Sequence, residues 1–264
     1  MLYSNQEFQH YFNGTDPFKK LQSIDGKVYR QVKGRKTFQF IHNHKSYFAK
    51  LHGGVGWGEI LKNIFQLRLP ILGAKNEWQA ISRLHNLGVD TMKAVAYDNS
   101  GWNPATRKSF IVTEDLTPTV SLEDYCKNWL QDKPDFQIKR KLIEKVADIA
   151  RTMHHSGVCH RDFYLCHFLL HRSEAEVDNK AKLSLIDLHR ALIKRKLARR
   201  WVVKDIAGLY YSAMHIGLTQ RDLLRFIKCY QQAELRYCLQ ERSSFWKSVK
   251  IRAFSMFDKL GVAS

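Results

Sequence analysis

His160-Arg161-Asp162-Phe163-Tyr164-Leu165-Cys166-His167-Phe168-Leu169-Leu170 is the stretch on which the reading of this chain turns. It follows the clearest helical pattern in the sequence, residues 136–156. There Ile138, Leu142, Val146, Ile149, Ala150 and Met153 share one face, and Gly157 supplies the stop. Beyond Asp162, Leu185-Ile186-Asp187-Leu188 reads as an apolar strand ending in a second carboxylate. Upstream, residues 28–32, 37–41 and 45–51 alternate as strands, with Lys33-Gly34-Arg35-Lys36 as the turn between the first two. The third strand carries Lys50. A glycine-rich loop follows at 52–58, then helical spacing over 59–69 that Pro70 stops. A second helix from about Ala74 to Leu87 carries Glu77, with a stripe of Trp78, Ile81, Leu84 and Leu87 closed by Gly88.

Val95-Ala96-Tyr97 and residues 109–113 read as a hairpin around Asn99–Asn103. Ser121 caps a short helix with Asp124 at its third position. Beyond about residue 204 the pattern is helical to the end. Strands first and helices later predict an α+β protein of two lobes: a small antiparallel sheet lobe over 1–113, a hinge at 114–120, and a larger helical lobe over 121–264.

The chain has 264 residues, 44% apolar and 26% charged, enough to bury a full core without disulfide or metal staples. Lys and Arg number 43 against 25 Asp and Glu, a net charge of +18. That excess attracts polyanions: nucleic acid, an anionic membrane face, phosphate ligands or acidic proteins. Five cysteines without a Cys-x-x-Cys pair fit free thiols in a reducing compartment. The first residues lack the basic start and apolar core of a signal peptide, and no apolar run approaches a membrane span. A cytoplasmic protein, soluble or peripheral, is expected.

A strand Lys, a helix Glu, a hinge, His-Arg-Asp and a strand-end Asp, in that order, are the minimum set for phosphoryl transfer from ATP. The order resembles eukaryotic-type protein kinases. Each element alone is common; their joint order is specific.

Longer segments narrow the resemblance. They are Gly56–Ile60, Arg68–Ala74, Glu77-Trp78, Gly88–Met92, Thr113–Pro118, Ser121–Cys126, His160-Arg161-Asp162 with Cys166–His171, Ile186-Asp187-Leu188-His189-Arg190, and Ile216–Asp222. Together they resemble the lipopolysaccharide core heptose(I) kinase family of Gram-negative bacteria over roughly residues 16–228. The resemblance implies a protein-kinase-like bilobal fold. It also implies ATP- and Mg²⁺-dependent phosphorylation of the first inner-core heptose on an acceptor carried by lipid A. Asp162 takes the catalytic position, Asp187 the metal position, and Lys50 and Glu77 the phosphate-lysine and helix-glutamate positions. Glu114 to Leu116 takes the adenine-binding hinge position. His160 and Asp205 support the catalytic loop, although Asp205 also reads as a plain helix N-cap.

Three departures from the protein kinase pattern matter. His167 stands where protein kinases have an Asn on a second Mg²⁺, and Mg²⁺ prefers oxygen, which puts a metal role for His167 in question. No Gly-x-Gly-x-x-Gly covers the phosphates; Gly34 is the one candidate. Only 18 residues separate Asp187 from Asp205, too few for a protein-substrate platform, which favours a glycan hydroxyl.

The basic run Lys194-Arg195-Lys196-Leu197-Ala198-Arg199-Arg200 is either a solvated face or a grip on acceptor phosphates and sugar acids, with Lys194, Arg195, Arg199 and Arg200 as the candidate contacts. It could also meet an anionic membrane. The amphipathic stretch 60–72 with Trp57 reads as core or as a contact with acyl chains on the cytoplasmic face of the inner membrane. The charge would also suit a small acidic protein such as an acyl carrier protein. The His/Cys-rich stretch 154–171 admits a zinc site, though without a known ligand spacing. A kinase of the neighbouring sugar Kdo and a kinase-like binding module without activity remain as alternatives. No nucleic-acid motif is visible, so no nucleic-acid partner is expected.

Overall fold

The structure, a computed structural model, describes residues 2–32, 34–54, 73–103, 106–172 and 182–261. The expected helix at 59–69 and the amphipathic stretch 60–72 lie outside the described residues. Packing divides the chain into two compact units, Met1–Ser82 with Met92–Leu116, and Arg83–Thr91 with Thr117–Ser264.

The first unit is built on a six-stranded antiparallel sheet. Its strands are β1 (Tyr3–Ser4), β2 (Lys27–Val32), β3 (Arg35–His42), β4 (Lys45–His52), β5 (Ala94–Ser100) and β6 (Lys108–Glu114), in the order β1-β5-β6-β4-β3-β2. Helices α1 (Gln6–Phe12) and α2 (Pro17–Gln22) are capped by the side chains of Asn5 and Asp16. Alternation decides the buried face: Phe38 and Phe40 of β3 and Tyr47, Ala49 and Leu51 of β4 point inward. They meet Phe8, Phe12 and Phe110 in one aromatic-rich core. β2 is exposed along its whole length, as an edge strand without a facing layer. Val32 pairs with Arg35, so Arg35 and Lys36 already belong to β3 and not to the turn predicted for them. Gly34, at φ +75°, supplies the left-handed position that tight turn needs. Helix α3 (Lys75–Asn86) begins in this unit.

The second unit is mainly helical. Helices α4 (Leu122–Cys126) and α5 (Phe136–His155) are followed by α6 (Arg199–Ser212), α7 (Gln220–Gln231), α8 (Leu235–Gln240) and α9 (Ser243–Leu260). Ser121 caps α4 by accepting from the Asp124 N–H, as the sequence predicts. Asp135 caps α5, whose Leu142, Val146, Ile149, Ala150 and Met153 are buried. Ile138 is not: it sits in the first turn of α5 and is 36% exposed. Met153 has no exposed surface, so truncating it to Ala costs about 2–5 kcal/mol. The segment Ile216–Asp222 makes structural sense as a capping box between Thr219 and Asp222. Asp222 also pairs with Lys139 at 2.8 Å and so ties α7 to α5.

Two small antiparallel ribbons carry the loops of interest. β7 (Thr119–Ser121), β9 (Phe168–His171) and β10 (Leu183–Leu185) pair in the order β10-β9-β7, and β8 (Val158–Cys159) pairs with β11 (Leu192–Ile193). Gly157 turns α5 into β8 at φ +80°. A Cβ there would fall 1.8 Å from the Lys194 carbonyl oxygen, so no other residue fits. Among the described residues no helix is long and apolar enough to cross a membrane.

Candidate active site

In the first unit, β4 presents Lys50 and the first turn of α3 presents Glu77. Lys50 Nζ donates to Glu77 Oε1 at 2.6 Å. Glu77 is 1% exposed, and its Oε2 has no hydrogen-bond partner among the described residues. Removing Lys50 would therefore leave a deeply buried carboxylate without its ion-pair partner. At the end of β6, the Glu114 N–H donates to the Lys93 carbonyl, and its carboxylate takes the Lys93 ammonium at 3.0 Å. The Asp115 N–H donates to the Ser46 carbonyl, and its side chain accepts from Ser46 and Gln39. Leu116 makes no hydrogen bond among the described residues.

In the second unit, β8 leads into the turn His160-Arg161-Asp162, with Arg161 at φ +74°. Asp205 holds that turn. Its carboxylate accepts the backbone N–H groups of His160 (2.6 Å) and Arg161 (2.8 Å). Asp205 sits in the middle of α6, 1% exposed, so the N-cap reading falls: the helix starts at Arg199. Burial alone would raise the Asp205 pKa. The His154 ring, bonded to it at 3.3 Å, outweighs that and holds it below the usual range. His154 is in turn bonded to the Tyr230 hydroxyl at 2.9 Å.

His160 is fully buried. Its Nε2 donates to the Ile186 carbonyl at 2.9 Å, which links the turn to the Asp187 segment. Burial lowers its pKa and keeps the ring neutral. His167 stacks on His160 with ring centroids 5.5 Å apart, and its Nδ1 donates to the Asp162 carbonyl at 2.7 Å. Its Nε2 stands 3.6 Å from Asp187 Oδ2. Asp187 lies in the left-handed region at φ +61°, and His189 Nδ1 meets its Oδ1 at 2.7 Å. The structure therefore brings Asp162, His167 and Asp187 together through His160 and His167.

The Asp162 carboxylate is not free. Arg190 Nη1 donates to both of its oxygens, at 2.9 and 3.0 Å, and Lys204 Nζ stands 4.0 Å away. Neither cation stands out in the sequence. Arg190 closes the family-like segment Ile186–Arg190 and Lys204 immediately precedes Asp205, but no spacing rule relates either to Asp162.

The basic run divides. Lys194, Arg195 and Lys196 are exposed ahead of α6. Arg199 donates to Ser244 and Ser248 of α9, at 3.2 and 3.3 Å, and lies over the Phe245 ring. Arg200 lies over Trp201. The His/Cys-rich stretch disperses. No group of three His, Cys, Asp or Glu able to hold a metal forms among the described residues. His154 serves Asp205, and His171 meets Ser184 at 2.9 Å. Burial pushes the Cys159 thiol well up and Cys166 to about 11, so neither is a ready thiolate ligand. A Mg²⁺ ion here would find Asp187, a partly exposed carboxylate, as its protein donor. One carboxylate suits an ion that is bound by one or two carboxylates together with substrate phosphates and water.

Residues 19–230 match the lipopolysaccharide kinase (Kdo/WaaP) family. The chain is 47% identical over 253 residues to the lipopolysaccharide core heptose(I) kinase WaaP of Escherichia coli, covering 96% of each. It is 45% identical over 258 residues to the protein of that name from Pseudomonas aeruginosa, covering 98% of this chain and 96% of the relative. A solved structure, WaaP in complex with acyl carrier protein, superposes with a TM-score of 0.85 at 41% identity, over 97% of this chain and 99% of that one. The kinase-like α+β fold expected from the sequence is the fold of that structure.

Proposed function

The chain belongs to the lipopolysaccharide kinase (Kdo/WaaP) family, a family of ATP-using phosphotransferases, and we propose that it phosphorylates a hydroxyl of the first heptose of the lipopolysaccharide inner core. The observation that supports heptose over Kdo is 45–47% identity, over nearly the full length, to relatives that bear the heptose(I) kinase name. Both sugars occur in the core, so the assay must separate them.

In this reading the heptose hydroxyl oxygen bonds to the γ-phosphorus as the bond from that phosphorus to the β-bridging oxygen breaks, and ADP leaves. Asp162 accepts the hydroxyl hydrogen in a hydrogen bond and orients the oxygen; the proton passes to it or onward to water. Lys50, held by Glu77, grips ATP phosphates. Leu116 and the backbone at Glu114 serve the adenine. Asp187 holds Mg²⁺, which neutralises phosphate charge when bound. His167 acts by locking the Asp162 carbonyl and stacking on His160, not as a metal ligand. Lys194, Arg195, Arg199 and Arg200 remain candidates for outer contacts with acceptor anions, although Arg199 Nη2 already donates to Ser244 and Ser248 of α9.

Two partners follow. The acceptor is attached to lipid A, so the protein works peripherally at the cytoplasmic face of the inner membrane, where its +18 charge meets anionic headgroups. An acyl carrier protein is the second. A cavity of about 280 Å³ in the helical unit, lined by Leu122, Trp129, Leu142, Leu209, Phe226 and Trp246, is apolar enough to take an acyl chain. Acyl-loaded carrier should raise the melting temperature more than carrier without an acyl group, and equal shifts would remove the cavity from the contact.

The function is tested in cells. Core glycan from a strain lacking this protein should lose phosphate on the first heptose and regain it on complementation with the wild type but not with Asp162→Ala. Unchanged heptose phosphate would contradict the proposal.

A further inference from the structure

Around Asp162 the helical unit gathers more positive charge than one carboxylate can use. Arg190 spends a single nitrogen, Nη1, on both Asp162 oxygens. Its Nε and Nη2 make no hydrogen bond among the described residues, and its side chain is 39% exposed. Lys204 stands 4.0 Å from the same carboxylate with its side chain 22% exposed. Arg161 contributes a third cation. Its guanidinium lies 5.4 Å over the Trp201 ring, and its Nε is buried without a hydrogen-bond partner among the described residues. The neighbouring carboxylate, Asp205, adds a second negative charge but gives these cations no hydrogen bond, because its oxygens are taken by two backbone N–H groups and His154, and two carboxylates then face three cations.

A guanidinium is a planar fork that suits two oxyanions at once, one on each edge. With one corner on Asp162, the rest of the Arg190 fork faces outward beside the carboxylate. Lys204 flanks it. Burial lowers the Lys204 pKa, and the positive charges of Arg190 and Arg161 lower it further; an incoming anion would relieve that crowding. The groups facing Lys204 are therefore Asp162, Arg190, Arg161 and Asp205.

We propose that Arg190 and Lys204, backed by Arg161, form an oxyanion subsite beside Asp162 that holds an acidic group of the acceptor, a carboxylate or a phosphate borne next to the accepted hydroxyl. Arg190 then bridges substrate and Asp162, so binding the acid group and orienting the hydroxyl become one event. This replaces the exposed run at 194–200 as the primary grip on the acceptor. The subsite stands on the geometry alone; assigning its anion to the acceptor rests on the kinase function proposed above.

The test has two readouts. Inorganic phosphate is first titrated calorimetrically into the protein without nucleotide. Binding to the wild type should weaken by about tenfold in Arg190→Gln and in Lys204→Met, and Lys204→Arg should restore it. Equal binding by all forms, or no binding by the wild type, overturns the subsite whatever the acceptor is. Transfer kinetics with heptose-containing core are read second. Lys204→Met should raise the acceptor KM by about tenfold while leaving the ATP KM within about twofold. Wild-type enzyme should show the same rise with core whose sugar carboxylates have been reduced if the anion is a carboxylate, or with dephosphorylated core if it is a phosphate. A change confined to the ATP KM would overturn the acceptor assignment. Failure of the wild type to use heptose core would instead count against the function, and the phosphate titration alone would then decide the subsite.

Discussion

Asp205 accepts the backbone N–H groups of both His160, at 2.6 Å, and Arg161, at 2.8 Å, and so fixes the turn that carries Asp162. The carboxylate that does this is buried in the middle of α6 and steadied by His154, which Tyr230 holds from the far side. An amide in its place would turn an N–H toward a backbone N–H. Asp205→Asn should cost about 3 kcal/mol of stability. Turnover should fall by about 10²-fold as Asp162 shifts out of line. Denaturant unfolding and kcat check both; a stable variant with normal turnover would show that the turn holds without Asp205.

Stability should fall in two acid windows. The pKa of His160 is lowered in the folded state, so the unfolded chain binds more protons below about pH 6.5, and stability declines as pH drops through that value. The pKa values of Asp205 and Asp222 are also lowered: their contribution is complete above the unfolded carboxylate value of about 4 and is lost as pH falls through the folded values. His155, also lowered, adds a smaller slope of the first kind because it is exposed. Melting temperature against pH should show both steps, and His160→Gln should flatten the first. A curve unchanged by that substitution would remove His160 as its source.

The Lys50–Glu77 pair gives Lys50→Ala a structural cost beside any effect on the proposed ATP contact. It leaves a carboxylate that is 1% exposed without its cation, which should cost about 3–5 kcal/mol. Adding Glu77→Gln should return most of that stability without returning activity. Denaturation midpoints of the single and double variants decide it: equal loss in both would mean that Glu77 is not stranded by the first change.

Asp162→Ala should lower turnover by about 10²–10⁴-fold with little change in nucleotide affinity, because in the role proposed for it Asp162 acts on the hydroxyl and not on ATP. Near-normal turnover would remove it from the catalytic role.

Removing divalent cation with a chelator should abolish transfer, and Asp187→Ala should weaken metal-dependent nucleotide use. His167→Asn should retain metal dependence with one ion per turnover, since its ring serves the Asp162 carbonyl. Loss of metal binding in His167→Asn, measured by metal titration with nucleotide, would make the ring a ligand after all.

Much of the fold is legible in the sequence because strand alternation and the helical stripe of α5 are local signals. Ile138 shows the limit: periodicity puts it on the apolar face, but burial depends on what packs beside the first turn. The contacts around Asp162 are not legible. Arg190 and Lys204 lie 28 and 42 residues beyond it and reach it only through the pairing of β8 with β11 and the start of α6. Taken alone, Glu77 reads as one more surface charge; only its burial against Lys50 shows otherwise. Charge density draws attention to 194–200, although the cations that touch Asp162 stand singly in the sequence, outside that run.

Transfer of labelled γ-phosphate from ATP to three acceptors decides the function: heptose-containing core lacking phosphate, core ending at Kdo, and a generic protein. Labelling of the heptose core alone is expected, declining as salt screens the contacts between the acceptor's acid groups and Arg190 and Lys204. Preferred labelling of the Kdo-only core would make this a kinase of the neighbouring sugar, and labelling of protein alone would contradict the glycan acceptor altogether.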